Sequence, residues 1–318
     1  MSISRLGAAL AAALVAVGAS ANDLQPFTTV QNTDWTQAGV GGLRGLGTGS
    51  ITLSGVSGTV TQAYLYWAGP TNSISPDANA SVLFGGTSIL GTNIGFSQDN
   101  FWGFTNSQGY RADVTSLVTG NGNYALANFT KPGIEVNGAS LVVFFNDGNA
   151  ANNHDVVLFN GNDANFTNPY DAIGWNSSLA GINYTSGTAA ISLHVSDGQN
   201  FGANDDGTLR INGTPLVTGG IFQGATLPSA GGGVDNGNLW DIRTFDVTSF
   251  LSPGANTLNF QLDAINNALG LVVAAIELPV GAAPPVTAIP EPETYALMLA
   301  GLAAVRFATR RRKPAVKA

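Results

Sequence analysis

The sequence predicts an all-β protein: two tandem antiparallel β-sandwich modules of jelly-roll type, with an N-terminal signal peptide and a short C-terminal transmembrane helix. Three observations lead there. Charged residues make up only 10% of the chain while Gly numbers 41, a balance that suits strands joined by many turns. Apolar runs between residues 22 and 280 alternate or are short and continuous, without the 3.6-residue period of an amphipathic helix. The body also repeats itself.

The elements follow in order. Residues 1–21, MSISRLGAALAAALVAVGASA, combine Arg5, an apolar run from Leu6 to Val17 and the small residues Ala19 and Ala21. That pattern fits signal peptidase, with Asn22 the first mature residue, so the chain is expected to be exported. Module 1 is expected over 22–150 and module 2 over 151–278. In module 1, QAYLYWAG puts Tyr64, Tyr66 and Ala68 on one face and Ala63, Leu65 and Trp67 on the other. Both faces are apolar, which places the strand in the centre of a sandwich. SLVVFF and LGLVVAAIEL are further continuous apolar runs. AISLHVSDG alternates Ile191, Leu193 and Val195 against Ser192, His194 and Ser196 and predicts a half-exposed strand.

The repeat has three blocks in one order. YRADVTSLVTGNGNYALANF matches RTFDVTSFLSPGANTLNFQL, SVLFGGTSIL matches TLRINGTPLV, and GASLVVFFND matches ALGLVVAAIE. Asp113 to Asp246 is 133 residues, Gly86 to Gly213 is 127 and Leu141 to Leu271 is 130. The near-constant offset predicts duplicated modules. The repeated D-V-T-S predicts a tight corner, in which Asp, Thr and Ser bond nearby backbone; a repeated ligand contact is the alternative. AYLYWAG, then ADVTSLV with GNYALANF, then GASLVVFFND running into HDVVLFNG resemble uncharacterised secreted β-sandwich modules of bacterial and archaeal surface proteins. The resemblance covers most of residues 60–160, and the second copy more weakly. It implies a fold and no catalytic residues.

Charge and composition narrow the chemistry. Between residues 22 and 289, five cations stand against sixteen Asp and two Glu, a net of −13. Nucleic-acid binding needs clustered Lys and Arg, so no nucleic-acid partner is expected. The absence of Cys excludes disulfides and thiol chemistry. His154 and His194 have no G-x-S-x-G nucleophile elbow to serve, and no catalytic residue is assigned. The five Trp are expected in the core. No cofactor is expected; calcium is the alternative, with Asp197, Asn204, Asp205 and Asp206 of SDGQNFGANDDG as candidate ligands and NDGNAANNHD as a weaker second stretch. Asp and Asn are also ordinary turn residues.

The end of the chain changes character. A Pro-rich linker over 279–289 is expected to be extended and unpacked, followed by a tail at 290–318. Eleven mostly apolar residues, 295–305, precede Arg306 and the cluster Arg310, Arg311, Arg312 and Lys313. Cations behind an apolar run place the body outside and the arginines in the cytoplasm, with transient inner-membrane contact. As a helix the run spans about 17 Å against roughly 30 Å of hydrocarbon, which makes the anchor marginal. Pro290, Glu291 and Pro292, the short run and the basic end together resemble a PEP-CTERM sorting signal. The resemblance implies processing by an exosortase, a membrane protease-transpeptidase of Gram-negative bacteria often found in systems that make exopolysaccharide, with Pro290, Glu291 and Pro292 as its recognition motif. Arg306 departs from the family pattern, whose run continues apolar.

These readings describe an exported, non-catalytic component of the cell surface or extracellular matrix, structural or adhesive in an exopolysaccharide or biofilm context. A carbohydrate- or other ligand-binding module is the alternative, marked by exposed coplanar aromatics such as Trp102 or Trp175. A polysaccharide-active enzyme would be marked by two apt carboxylates in one cleft.

Overall fold

From Leu65 onward the strand Thr59–Thr71 (β3) is buried on both faces, and that decides how the sheets are layered. In the computed structural model, which describes residues 23–98, 103–170, 174–262 and 267–284, Leu65 and Trp67 enter one hydrophobic core while Tyr66 and Ala68 enter another. A strand can serve two cores only if its sheet is covered on both sides.

The other strands are β1 (Gln25–Gly41), β2 (Gly49–Leu53), β4 (Ser81–Phe84), β5 (Thr87–Leu90), β6 (Thr92–Ser97), β7 (Asn106–Asp113), β8 (Gly122–Ala127) and β9 (Gly138–Asn146) in the first half. The second half holds β10 (His154–Ala164), β11 (Asn176–Tyr184), β12 (Ala190–Ser196), β13 (Thr208–Ile211), β14 (Thr214–Thr218), β15 (Trp240–Asp246), β16 (Gly254–Leu262) and β17 (Gly270–Pro279). The described residues contain no α-helix, only a 3-10 turn at Thr248–Phe250.

Two outer sheets have the orders β2-β8-β4-β5 and β11-β16-β13-β14, which are the same order in each copy. The inner strands form one continuous sheet, β15-β12-β17-β10-β1-β9-β3-β7-β6. Outward from β1 it repeats too, since β10-β17-β12-β15 on one side corresponds to β1-β9-β3-β7 on the other. The chain is therefore two antiparallel sandwiches of matching topology, as the repeat predicts. The inner halves turn toward each other and trap a middle core of Val142, Phe144, Val156, Leu158, Val273 and Ala275. The alternate residues Val143, Phe145, Val157, Phe159, Ala274 and Ile276 face the two outer cores. Where β9 presses on β15, Gly138 is required: a Cβ there would lie 2.5 Å from Trp240 Cβ.

The repeated corner is the same in both copies. Asp113 Oδ1 accepts from Thr115 N at 2.9 Å, and Asp246 Oδ1 accepts from Thr248 N at 2.8 Å. Thr115 Oγ1 then accepts from Ala63 N, and Thr248 Oγ1 from Ala189 N, each at 2.9 Å. Each corner thus ties the end of one inner strand to the start of its neighbour.

Strand β1 departs from the simple tandem picture. Asp34–Gly41 pairs with β9, but Gln25–Thr33 pairs with β10, so residues assigned by sequence to module 1 complete the sheet of module 2. The crossing is irregular between Val30 and Thr33, with Asn32 at φ +51°. Asp155, 1% exposed, holds it: Oδ1 accepts from Asn32 N at 3.0 Å, while Oδ2 accepts from Gly281 N at 2.8 Å and Ala283 N at 3.2 Å. The packed body consequently runs past residue 278 to Pro284, with Ala282 and Ala283 buried rather than in an unpacked linker.

Thr115→Ala and Thr248→Ala should each lower stability by about 1 kcal/mol, the net worth of a hydrogen bond to backbone. Urea unfolding of both variants checks this, and a large difference between them would show that the corners are not equivalent. Asp155→Ala strands three backbone donors and should cost roughly 3 kcal/mol or more in the same assay.

Candidate functional site

The face of β12 that sequence alternation predicts to be half-exposed is turned against the other sandwich. Ser192, His194 and Ser196 are all at most 2% exposed. His194 Nδ1 lies 2.7 Å from Ser140 Oγ on β9, and Nε2 lies 2.8 Å from Gln37 Oε1 on β1. Nε2 carries the proton when the amide oxygen accepts, which leaves Nδ1 to accept from the serine hydroxyl. Gln37 Nε2 donates to Ser192 Oγ at 3.0 Å and to Thr244 Oγ1 at 3.2 Å. Asn137 Nδ2 donates to Ser196 Oγ at 2.8 Å. These side chains form a polar seam between the two halves of the inner sheet. Burial lowers the His194 pKa to about 3, so the ring is a neutral connector across the neutral range.

The buried carboxylates hold backbone. Asp241 accepts from Gly224 N, Ala225 N, Thr226 N and Thr226 Oγ1. Asp206 accepts from Ile221 N, Phe222 N and Asn267 Nδ2, and burial pushes its pKa up to about 6. Asp205 accepts from Phe201 N at 2.7 Å. Of the calcium candidates, Asp205 and Asp206 are thus buried clamps, Asn204 is exposed, and Asp197 lies 3.7 Å from Arg44. No group of three His, Asp or Glu among the described residues is placed to hold a metal. Trp175 is 2% exposed and donates to Asp163 O, so it offers no stacking surface. Trp67 and Trp240 are also buried. Ala19, Ala21, Asn22, Trp102, Pro290, Glu291, Pro292, Arg310, Arg311, Arg312 and Lys313 lie outside the described residues, as do the predicted signal peptide and transmembrane run.

A cleft of about 280 Å³ opens where β1 crosses between the sandwiches. Asp34 and Trp35 of β1, Gly55 and Ser57 after β2, Phe145 of β9, Asn152, His154 of β10 and Glu277 of β17 line it. Trp35 Nε1 donates to Glu277 Oε2, and Glu277 Oε1 is 3.6 Å from His154 Nε2. Asp34 is 6% exposed, and its Oδ2 accepts from Asp147 N at 3.2 Å. Sequence reading weighed His154 as a chemical group, expected Trp35 in the core and held Asn152 within the weaker calcium stretch, but joined none of them to Asp34 or Glu277. Glu277 carried a signal, being one of two Glu in the body and the one charge in LGLVVAAIEL. Asp34 carried none, because its burial depends on the crossing.

Residues 288–313 match the model of the PEP-CTERM protein-sorting motif. The chain therefore carries that motif, which implies export and processing by an exosortase at the cell envelope. No curated protein matches the chain. Solved structures similar to the chain include a peptide-N(4)-(N-acetyl-β-D-glucosaminyl) asparagine amidase, at 12% identity and TM-score 0.31 over 79% of this chain and 98% of that one, and a BuGH86 variant in complex with neoagarooctaose, at 13% identity and TM-score 0.24 over 81% of this chain and 34% of that one. Similarity at this level carries no residue roles across.

For His194 the folded pKa, about 3, lies below the unfolded value of about 6.5. The unfolded state therefore takes up the proton first, and the His194 contribution to stability is lost as pH falls from about 6.5 toward 3, by up to roughly 1.4 kcal/mol per pH unit. Asp206 opposes it: its raised pKa favours the folded state as pH falls from about 6 toward its unfolded value. The stability difference between wild type and His194→Gln, from urea unfolding at stepped pH, isolates the first effect. It should shrink steadily below pH about 6; a pH-independent difference would contradict a buried neutral ring.

Proposed function

We propose that the protein is a non-catalytic component of the cell surface or extracellular matrix, exported by signal peptidase cleavage and delivered through exosortase processing of its tail. The observation that carries this reading is the sorting motif at 288–313, which begins four residues after the packed body ends at Pro284. The body's polar chemistry supports it: His194 bridges two sandwiches as a neutral ring, and Asp155, Asp206 and Asp241 hold backbone N–H groups. In this role the double sandwich is a rigid, acidic element that meets other matrix material, exopolysaccharide included, through its surface. Ligand binding is the second reading, favoured by the one described cleft that gathers an indole, a histidine and two carboxylates.

Replacing Pro290, Glu291 and Pro292 together by Ala should block processing. Intact mass and an antibody to residues 306–318 report the outcome: wild-type protein recovered outside the membrane lacks the tail, and the variant keeps it and stays with the membrane fraction. A wild-type surface protein that retains residues 306–318 overturns the sorting role.

A further inference from the structure

We propose that the cleft at the sandwich crossing binds a saccharide carrying a protonated primary amine. Its lining is rich in acceptors. Asp34 is 6% exposed, and one oxygen, Oδ2, takes a backbone N–H. Its other oxygen, Oδ1, accepts no hydrogen bond from the described residues, although it belongs to a side chain that lines the cleft. With Oδ2 engaged, Oδ1 is the Asp34 oxygen left to accept from a donor in the cleft.

Glu277 is fixed rather than mobile, because Trp35 Nε1 holds Oε2 and His154 Nε2 lies 3.6 Å from Oε1. The cleft lining holds two carboxylates, Asp34 and Glu277, and neither Lys nor Arg. The body around it has a net charge of −13 between residues 22 and 289, which concentrates cations and repels anionic glycans. No three of its titratable side chains gather as metal ligands, and the proposed cation is organic. An ammonium supplies three donors on a point charge, and the half-buried Trp35 indole offers a face for an ammonium or a sugar ring. Ser57 and Asn152 at the exposed rim add hydroxyl and amide partners for sugar hydroxyls. A volume of about 280 Å³ suits a single amino-sugar unit at the end or side of a longer glycan.

The inference supplies a ligand for the surface role without depending on the sorting route, and it is tested on the exported protein with defined sugars. Glucosamine, N-acetylglucosamine and glucose are titrated by calorimetry and by saturation-transfer NMR. Glucosamine should bind at least about tenfold more tightly than either neutral sugar, the difference expected of one charge-assisted contact. Glu277→Gln keeps an acceptor for Trp35 and should remove most of that preference. Ser57→Lys, on the exposed rim, sets the protein's own ammonium at the cleft and should abolish glucosamine binding while leaving the melting temperature unchanged. Asp235→Asn, an exposed change outside the cleft lining, should have no effect. No glucosamine binding at millimolar concentrations, equal affinity for glucosamine and N-acetylglucosamine, or binding that survives Ser57→Lys would each overturn the proposal. Tail processing can proceed normally under any of these results, so failure here is distinct from failure of the sorting role.

Discussion

One carboxylate at the crossing of the chain holds the two sandwiches to a common origin. Asp155 binds the kink of β1 through Asn32 and the last turn of the body through Gly281 and Ala283. Those donors stand more than 120 residues away on either side of it. Each N–H would otherwise be stranded at the kink or at the end of the last strand, where no ladder partner is available. An ionised acceptor makes stronger bonds than a neutral one, so a single side chain can hold three groups together in an interior that is 1% exposed. The path of β1, the closing of module 2 and the geometry of the cleft all follow from that clamp.

The middle layer explains why the two copies stay together. A lone sandwich needs one apolar face per sheet, yet the inner strands here carry apolar residues on both. Tyr66, Phe144, Leu158 and Val273 are wholly buried only because the two halves of the inner sheet cover each other. The seam through Gln37, Ser140, Ser192 and His194 runs through that same layer. Its apolar part supplies most of the driving force, since that scales with area removed from water. Its polar part contributes orientation: each seam donor needs its acceptor in place, and a shift of register would leave buried polar groups unpaired.

Much of the fold was legible along the chain. The double-sided apolar pattern of QAYLYWAG placed β3 at the centre of a sandwich, and the repeated D-V-T-S predicted a corner that both copies build with the same two bonds. AISLHVSDG was misjudged for a physical reason. Period-two alternation reports two unlike faces, but it does not say whether the polar face meets water or another polar face. Ser192, His194 and Ser196 meet Gln37, Ser140 and Asn137, which lie far away in sequence. The calcium candidates show the same ambiguity, because an Asp that will bind backbone N–H groups looks in sequence like any other loop Asp. His154 was noticed along the chain and Glu277 stood out only as one of two Glu in the body, and their partners gave both a place in the cleft.

By itself the sequence determined the all-β class, the duplication, the acidic character of the body and the sorting motif in the tail. Those properties are written in composition, short-range period and contiguous motifs, each of which acts through neighbouring residues. The tertiary structure decided that the N-terminal half of β1 belongs to the second sandwich, that the polar face of β12 is interior, and that Asp34, Trp35, His154 and Glu277 share one cleft. Those outcomes depend on which distant backbone groups find partners once both inner faces are buried, and that competition is settled only in the folded chain.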